Sequence, residues 1–250
     1  MRFLIGNWHY LVGGAVAMME RLNDNLVQIR ERIAAAAERS GRDATEVRLL
    51  AVTKTHPAEV VRSALELGLT QFGENRVQEL QTKAEALAEQ PISWALIGHL
   101  QTNKAKRALE FADEFQALDS MRIAAALDRH CAAMGRELPV LIEVNTSAEE
   151  SKSGLAPEQV LQFASGLAEF PRLRPRGLMT VAAPGGGAAA ERCFAQLAEL
   201  SAQLRERAIL DLDWPELSMG MSGDFELAIK HGSTCIRLGT ALFGRRNYPA

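Results

Sequence analysis

Along this chain the spacing of apolar residues switches back and forth between two periods, and each switch marks an element. In residues 18–39 the apolar positions Leu22, Leu26, Ile29, Ile33 and Ala37 recur every three or four residues and make one helical face, which Ser40-Gly41 closes. Residues 47–53 are a short apolar run with Pro57 close behind, which predicts a buried strand rather than a helix. A helix over 57–67 follows, with Pro57 tolerated in its first turn. The alternation continues with strand 70–73 and helix 76–88, strand 93–97 and helix 103–112, and strand 115–118 and helix 120–134. Strand 140–144 with helix 157–168, strand 176–181 with helix 188–209, strand 217–219 with helix 224–230 and a final strand 234–238 complete the series.

Eight strand-helix units after one leading helix are the arithmetic of a closed parallel barrel, so the predicted fold is a single α/β domain, a (β/α)8 TIM barrel, over residues 18–250. An open doubly wound sheet is the runner-up, but no Gly-x-Gly-x-x-Gly follows the first strand to hold a dinucleotide. In such barrels ligands sit at the carboxyl ends of the strands. The first strand, Arg48-Leu49-Leu50-Ala51-Val52-Thr53, ends there in Lys54. An amine partly shielded from water beside Leu50 and Val52 is the residue type that forms Schiff bases with carbonyl compounds, although a lysine snorkelling from a strand end fits the position as well.

Composition narrows the classes. The chain has 250 residues, of which 47% are hydrophobic and 24% charged, an ordinary globular mixture. A net charge of -3 gives no basic field for nucleic acid. Cys131, Cys193 and Cys235 lack metal-ligand spacing and read as reduced, buried small hydrophobes, and no metal site is expected. Residues 1–17 weakly resemble a signal peptide ending Ala15-Val16-Ala17, but Asn7 and His9 interrupt the apolar run, which is too short to span a membrane. The reading adopted is a disordered or mis-assigned extension with the true start at Met18 or Met19. Pro184-Gly185-Gly186-Gly187-Ala188 is expected to be a mobile loop bordering the barrel's upper face.

The loops after strands seven and eight are where these barrels hold phosphate. Here they read Ser218-Met219-Gly220-Met221-Ser222-Gly223-Asp224 and Arg237-Leu238-Gly239-Thr240. Glycine backbone N–H groups, the hydroxyls of Ser222 and Thr240 and a helix start suit an anion, though each loop alone is equally a capped helix or a turn. With Lys54 on the neighbouring strand they point to a ligand bearing both a carbonyl and a phosphate, and pyridoxal 5'-phosphate (PLP) meets that description. Arg237 would then reach the pyridine nitrogen. A permanently charged arginine leaves that nitrogen unprotonated, which disfavours strong carbanion chemistry.

The motifs Ala51-Val52-Thr53-Lys54-Thr55, Phe72-Gly73-Glu74-Asn75-Arg76, Ile97-Gly98-His99-Leu100-Gln101-Thr102-Asn103-Lys104 and Glu143-Val144-Asn145 occur in that order, followed by Glu150-Ser151-Lys152-Ser153-Gly154 and the two phosphate loops. Together the set resembles the pyridoxal phosphate homeostasis proteins, a PLP-binding family, from about Leu22 to Gly244. The resemblance implies a barrel of the alanine-racemase amino-terminal type with PLP as a Schiff base on Lys54. It further implies phosphate contacts from Ser222, Gly239 and Thr240, Arg237 at the pyridine nitrogen and Asn75 near the ring. Members are thought to carry or buffer PLP in the cytoplasm and to influence vitamin B6 balance without robust catalysis, so no catalytic residue is assigned. PLP-dependent apoenzymes are the implied partners, and a monomer is the default. The family often has a second lysine where this chain has His56, which puts transfer through that position in doubt; Lys152 is a further candidate contact, or a solvated loop lysine.

Other residues carry plainer expectations. His99 is expected to line the site as a hydrogen-bonding wall, Asn103 to cap a helix or touch the ligand, Glu143 and Asn145 to be structural, and Trp94 and Trp214 to pack. Two enzymatic alternatives remain. A PLP-dependent amino-acid racemase needs a base on each face of the substrate carbon, and the chain's two tyrosines, Tyr10 and Tyr248, lie at its extremities. A Schiff-base aldolase for a sugar phosphate would use Lys54 without cofactor but gives Arg237 nothing to do.

Overall fold

The computed structural model describes the backbone of residues 5–149, 152–183 and 185–244, with side chains from residue 18 onward. Eight parallel strands close in chain order: β1 Arg48–Val52, β2 Gln71–Glu74, β3 Ser93–Leu96, β4 Glu114–Leu118, β5 Leu138–Glu143, β6 Leu173–Met179, β7 Glu216–Ser218 and β8 Cys235–Leu238. The seam pairs β1 with β8, Leu50 opposite Arg237 and Ala51 opposite Leu238. Every predicted strand is present, because runs covered on both faces are apolar enough to stand out.

Around the barrel lie α1 Ile5–Arg39, α2 Ala58–Glu66, α3 Val77–Ala86, α4 Ala105–Leu109, α5 Met121–Met134, α6 Val160–Gly166, α7 Gly187–Glu206, α8 Phe225–Lys230 and α9 Thr240–Phe243. The predicted face of α1 is buried at Leu22, Leu26, Ile29, Ile33 and Ala37. It packs on α8 and α9, where Asn25 donates to the Leu242 carbonyl at 2.9 Å and Arg32 pairs with Glu226 at 2.6 Å. Its backbone starts at Ile5, ahead of the predicted Met18; the side chains of 1–17 lie outside the described residues. The helix expected over 103–112 is a 3-10 turn, Thr102–Lys104, followed by the short α4. Asn103 sits inside that turn while Gln101 holds the cap position, so the expected cap at Asn103 is not formed.

The main core lies between strands and helices and includes Trp94 and Trp214, with the Trp94 ring 5.7 Å from that of Phe72. The three cysteines are free and buried. Of the glycine-rich loop, Pro184 lies outside the described residues; Gly185, Gly186 and Gly187 all have positive φ. Among the described residues no helix is long and apolar enough to cross a membrane, and no cluster of metal-ligating side chains occurs.

Inside the barrel the packing differs. Leu50, Ala95 and Cys235 form a small apolar cluster, with Ile97 against it. Below it Arg48 of β1 reaches Glu114 of β4 at 2.8 Å and Glu216 of β7 at 3.0 Å. These strands are not neighbours, so the three side chains meet across the lumen and floor it with charge.

Candidate functional site

Where the strands end, their last residues turn into a cavity of about 500 Å3. Lys54, Asn75, Ser222, Arg237, Gly239 and Thr240, all singled out from the sequence, line it together, with His56, Val52, Ile97, Val181, Met221 and Gly223. The fold explains the convergence. β1 and β8 are hydrogen-bonded neighbours, so Lys54 at the end of one stands beside Gly239 and Thr240 at the end of the other.

The anion corner is built from two loops tied to each other. Ser222 Oγ accepts the N–H of Ala241 at 3.0 Å, which leaves the Ser222 hydroxyl proton available to a ligand. The first loop is kept tight by Asp224, which accepts the N–H of Met221 at 2.6 Å. Gly239 runs close to β1: a Cβ there would lie 3.3 Å from the Val52 carbonyl oxygen, a tight contact.

Arg237 is fixed from beneath. It is 4% exposed; Nη1 donates to Ser218 Oγ and Nη2 to the Thr180 carbonyl, both at 2.7 Å. Ser218 in turn donates to Gln116 Oε1 at 2.7 Å across the lumen. Burial pulls the guanidinium's pKa below the ordinary arginine value, yet it remains a cation at any working pH. Asn75 is placed by a close backbone approach, since a Cβ on Gly98 would lie 2.4 Å from the Asn75 carbonyl oxygen.

Glu143, at the end of β5, is buried, and its Oε2 has no hydrogen-bond partner among the described residues. Burial, reinforced by Asp119 and opposed by Arg237, pushes its pKa up to about 7. Asn145 lies beyond the strand and is spent on local bonds, donating to the Glu149 carbonyl and accepting from Ser147, both at 2.9 Å. Lys152 pairs with Glu149 at 2.8 Å and donates to the Ala182 carbonyl at 3.0 Å, outside the cavity lining; Glu150 and Ser151 of its motif lie outside the described residues. The expectation that His99 walls the site does not hold: it is absent from the lining, its side chain is 58% exposed and its nearest charge is Asp119 at 3.8 Å. Ile97 fills the inward position that β3 offers, and the loop beyond carries His99 away. Asn103 is exposed and does not line the cavity either.

Sequence reasoning named Val52 beside the amine but assigned no role to the lining residues Ile97, Val181 and Met221 or to the supports Ser218, Gln116 and Thr180. The inward register of β4 and β7 was the only signal for Gln116 and Ser218. Chemically, an amine, an anion corner and a fixed cation on the neighbouring strand suit a flat ligand that carries a carbonyl and a phosphate.

A closed eight-stranded barrel with its amine on the first strand and its anion corner on the last two defines a class, and the chain belongs to it: residues 25–247 match the family model described as alanine racemase, N-terminal domain. Within that class the relatives are specific. The chain is 43% identical over 233 residues to the pyridoxal phosphate homeostasis protein of Pseudomonas aeruginosa, covering 93% of this chain and 99% of that one. Its identity to the protein of that name in Escherichia coli is 42% over 237 residues, covering 92% and 99%. Among solved structures it is similar to PipY of Synechococcus elongatus with PLP bound, with a TM-score of 0.74 and 38% identity over 86% of this chain and 100% of that one. The chain is a member of the pyridoxal phosphate homeostasis protein family.

Proposed function

We propose that this protein binds pyridoxal 5'-phosphate as a Schiff base on Lys54 and serves vitamin B6 balance in the cytoplasm as a non-catalytic carrier or buffer. The observation that carries the reading is the single cavity in which Lys54 and the groups suited to phosphate and ring stand together. Its volume, about 500 Å3, lies in the range of small-ligand pockets. The names of the relatives and the PLP-bound neighbour support it.

In this reading Ser222, Gly223, Gly239 and Thr240 hold the phosphate and Asn75 lies beside the ring. Val52, Ile97 and Met221 exclude water from its faces. The cofactor, when bound, supplies an aldehyde and an electron-withdrawing ring. Arg237 donates a hydrogen bond toward the ring nitrogen without giving up a proton, which keeps the ring a weak electron sink. Lys54 and His56, two lining side chains able to exchange protons, leave the same turn. A racemase needs such groups on both faces of its substrate carbon. These features favour storage over turnover, with PLP-dependent apoenzymes as recipients and the monomer as the working form.

The test is the visible absorption spectrum of the purified protein and of Lys54→Ala, with borohydride reduction and peptide mass mapping. An absorption band absent from the variant, with a pyridoxyl mass on the Lys54 peptide and no racemisation of alanine by the loaded protein, is expected. A wild-type protein with no band after addition of PLP would overturn the cofactor reading.

A further inference from the structure

Behind the cavity, helix α3 grips the turn that carries Lys54. The N–H of His56 donates to the Thr53 carbonyl at 2.9 Å and closes a four-residue turn with Lys54 and Thr55 at its centre. Thr55, third in the turn, has a φ of 67°. Glycine is the usual occupant there, and a β-branched residue held in the left-handed region costs on the order of 1–2 kcal/mol. Something else must hold the turn in place.

Glu79 and Lys83 stand four residues apart on one face of α3. Glu79 Oε2 accepts the Thr55 N–H at 2.7 Å, and Lys83 Nζ donates to the Thr53 carbonyl at 2.7 Å. The peptide groups on both sides of Lys54 are thus bonded to one helix. Lys83 is 4% exposed and pairs with Glu74 Oε1 at 2.5 Å, the oxygen that also accepts from Thr53 Oγ1 at 2.6 Å. The other oxygen of Glu74 is buried with no partner among the described residues. A buried ion pair with an unsatisfied oxygen is a poor stabilising device compared with an apolar side chain of similar volume. Stability alone does not account for it, and its position against Thr53 does.

We propose that Glu79 and Lys83 are positioning residues that clamp the turn at Thr53 and Thr55 and fix how the Lys54 amine enters the cavity. The proposal rests on reading Lys54 as the Schiff-base lysine. In that step the amine nitrogen bonds to the aldehyde carbon, the carbon–oxygen bond breaks, and the oxygen leaves as water with the two protons of the neutral amine. The nitrogen must approach the carbon along a narrow direction, and small misplacement slows the step strongly.

The test compares the wild type with Glu79→Ala, Lys83→Met, Glu79→Gln and the double variant Glu79→Ala/Thr55→Gly. The rate of PLP capture is followed by absorbance and by borohydride trapping on Lys54, and pyridoxine 5'-phosphate, which has no aldehyde, reports binding without the covalent step. Capture is expected to slow about tenfold or more in Glu79→Ala and Lys83→Met, with pyridoxine 5'-phosphate bound within about twofold of wild type. Glu79→Gln keeps an acceptor and should retain most of the rate. Thr55→Gly should restore much of it to Glu79→Ala, because glycine adopts the turn unaided. Slower capture with pyridoxine 5'-phosphate binding kept is an outcome a merely structural role of Glu79 would not produce, and rescue by glycine keeps the proposal open to refutation if Lys83→Met fails to fold. Wild-type capture matched by the variants, or equal losses with both ligands, would overturn the clamp while leaving Lys54 as the cofactor lysine. A wild type that captures no PLP would overturn both.

Discussion

Arg237 donates through Nη1 to Ser218 Oγ at 2.7 Å, so the cation facing the cavity is held by a hydroxyl of the adjacent strand. Ser218 passes the bond on to Gln116 on the opposite wall. Ser218→Ala removes one anchor of the guanidinium and leaves the Gln116 carbonyl unsatisfied. The expected result is PLP binding weakened about tenfold and stability lowered by about 1–2 kcal/mol, with the Lys54 absorption band still formed. Absorbance titration and urea denaturation check the two effects.

The tie between the loops after β7 and β8 gives a sharper contrast. Ser222→Ala loses a hydroxyl donor and frees the Ala241 N–H. PLP should bind roughly tenfold more weakly, whereas pyridoxal, which lacks the phosphate, should be unaffected. Parallel titrations with the two aldehydes separate a loss at the phosphate from a general loss of the site.

Glu143 makes stability depend on pH. Its pKa lies at about 7 against an ordinary 4.5 because burial disfavours the carboxylate. The folded protein keeps this proton to higher pH than the unfolded chain does. Stabilisation from the group is therefore fully present below pH 4.5 and is lost as pH rises through about 7. The loss amounts to roughly 3 kcal/mol across that window, and Glu143→Gln should remove it. Urea midpoints of both proteins between pH 5 and about 8 would show a falling slope for the wild type alone, after subtraction of the shared background.

Gly98 tests the close approach that places Asn75. A methyl group there would lie 2.4 Å from a backbone oxygen, which no rotamer change relieves. Gly98→Ala should lower stability by about 1–3 kcal/mol and weaken PLP binding together, measured by thermal unfolding and absorbance titration.

The strands were legible because a doubly covered strand is apolar throughout, and Lys54, Ser222, Arg237, Gly239 and Thr240 because a barrel places chemistry at its strand ends and in its last two loops; Asn75 was pointed to by the family resemblance alone. The supports were not. Lys83 lies four residues after Glu79 on an amphipathic helix, the pattern of an ordinary surface ion pair, and only the packing of α3 against β2 and β3 buries it. Thr55 gives no warning of its positive φ, since nothing in its side chain asks for one. His99 misled for the opposite reason, because an imidazole after a strand attracts a chemical role that the direction of its loop denies.

The charged floor of Arg48, Glu114 and Glu216 has a consequence for traffic. Among the described residues the lumen is shut below and filled above it by Leu50, Gln116 and Cys235, so the barrel's floor offers the cavity no way out. A ligand then comes and goes on the side of the strand ends. Anything that covers the strand ends therefore slows entry and release alike.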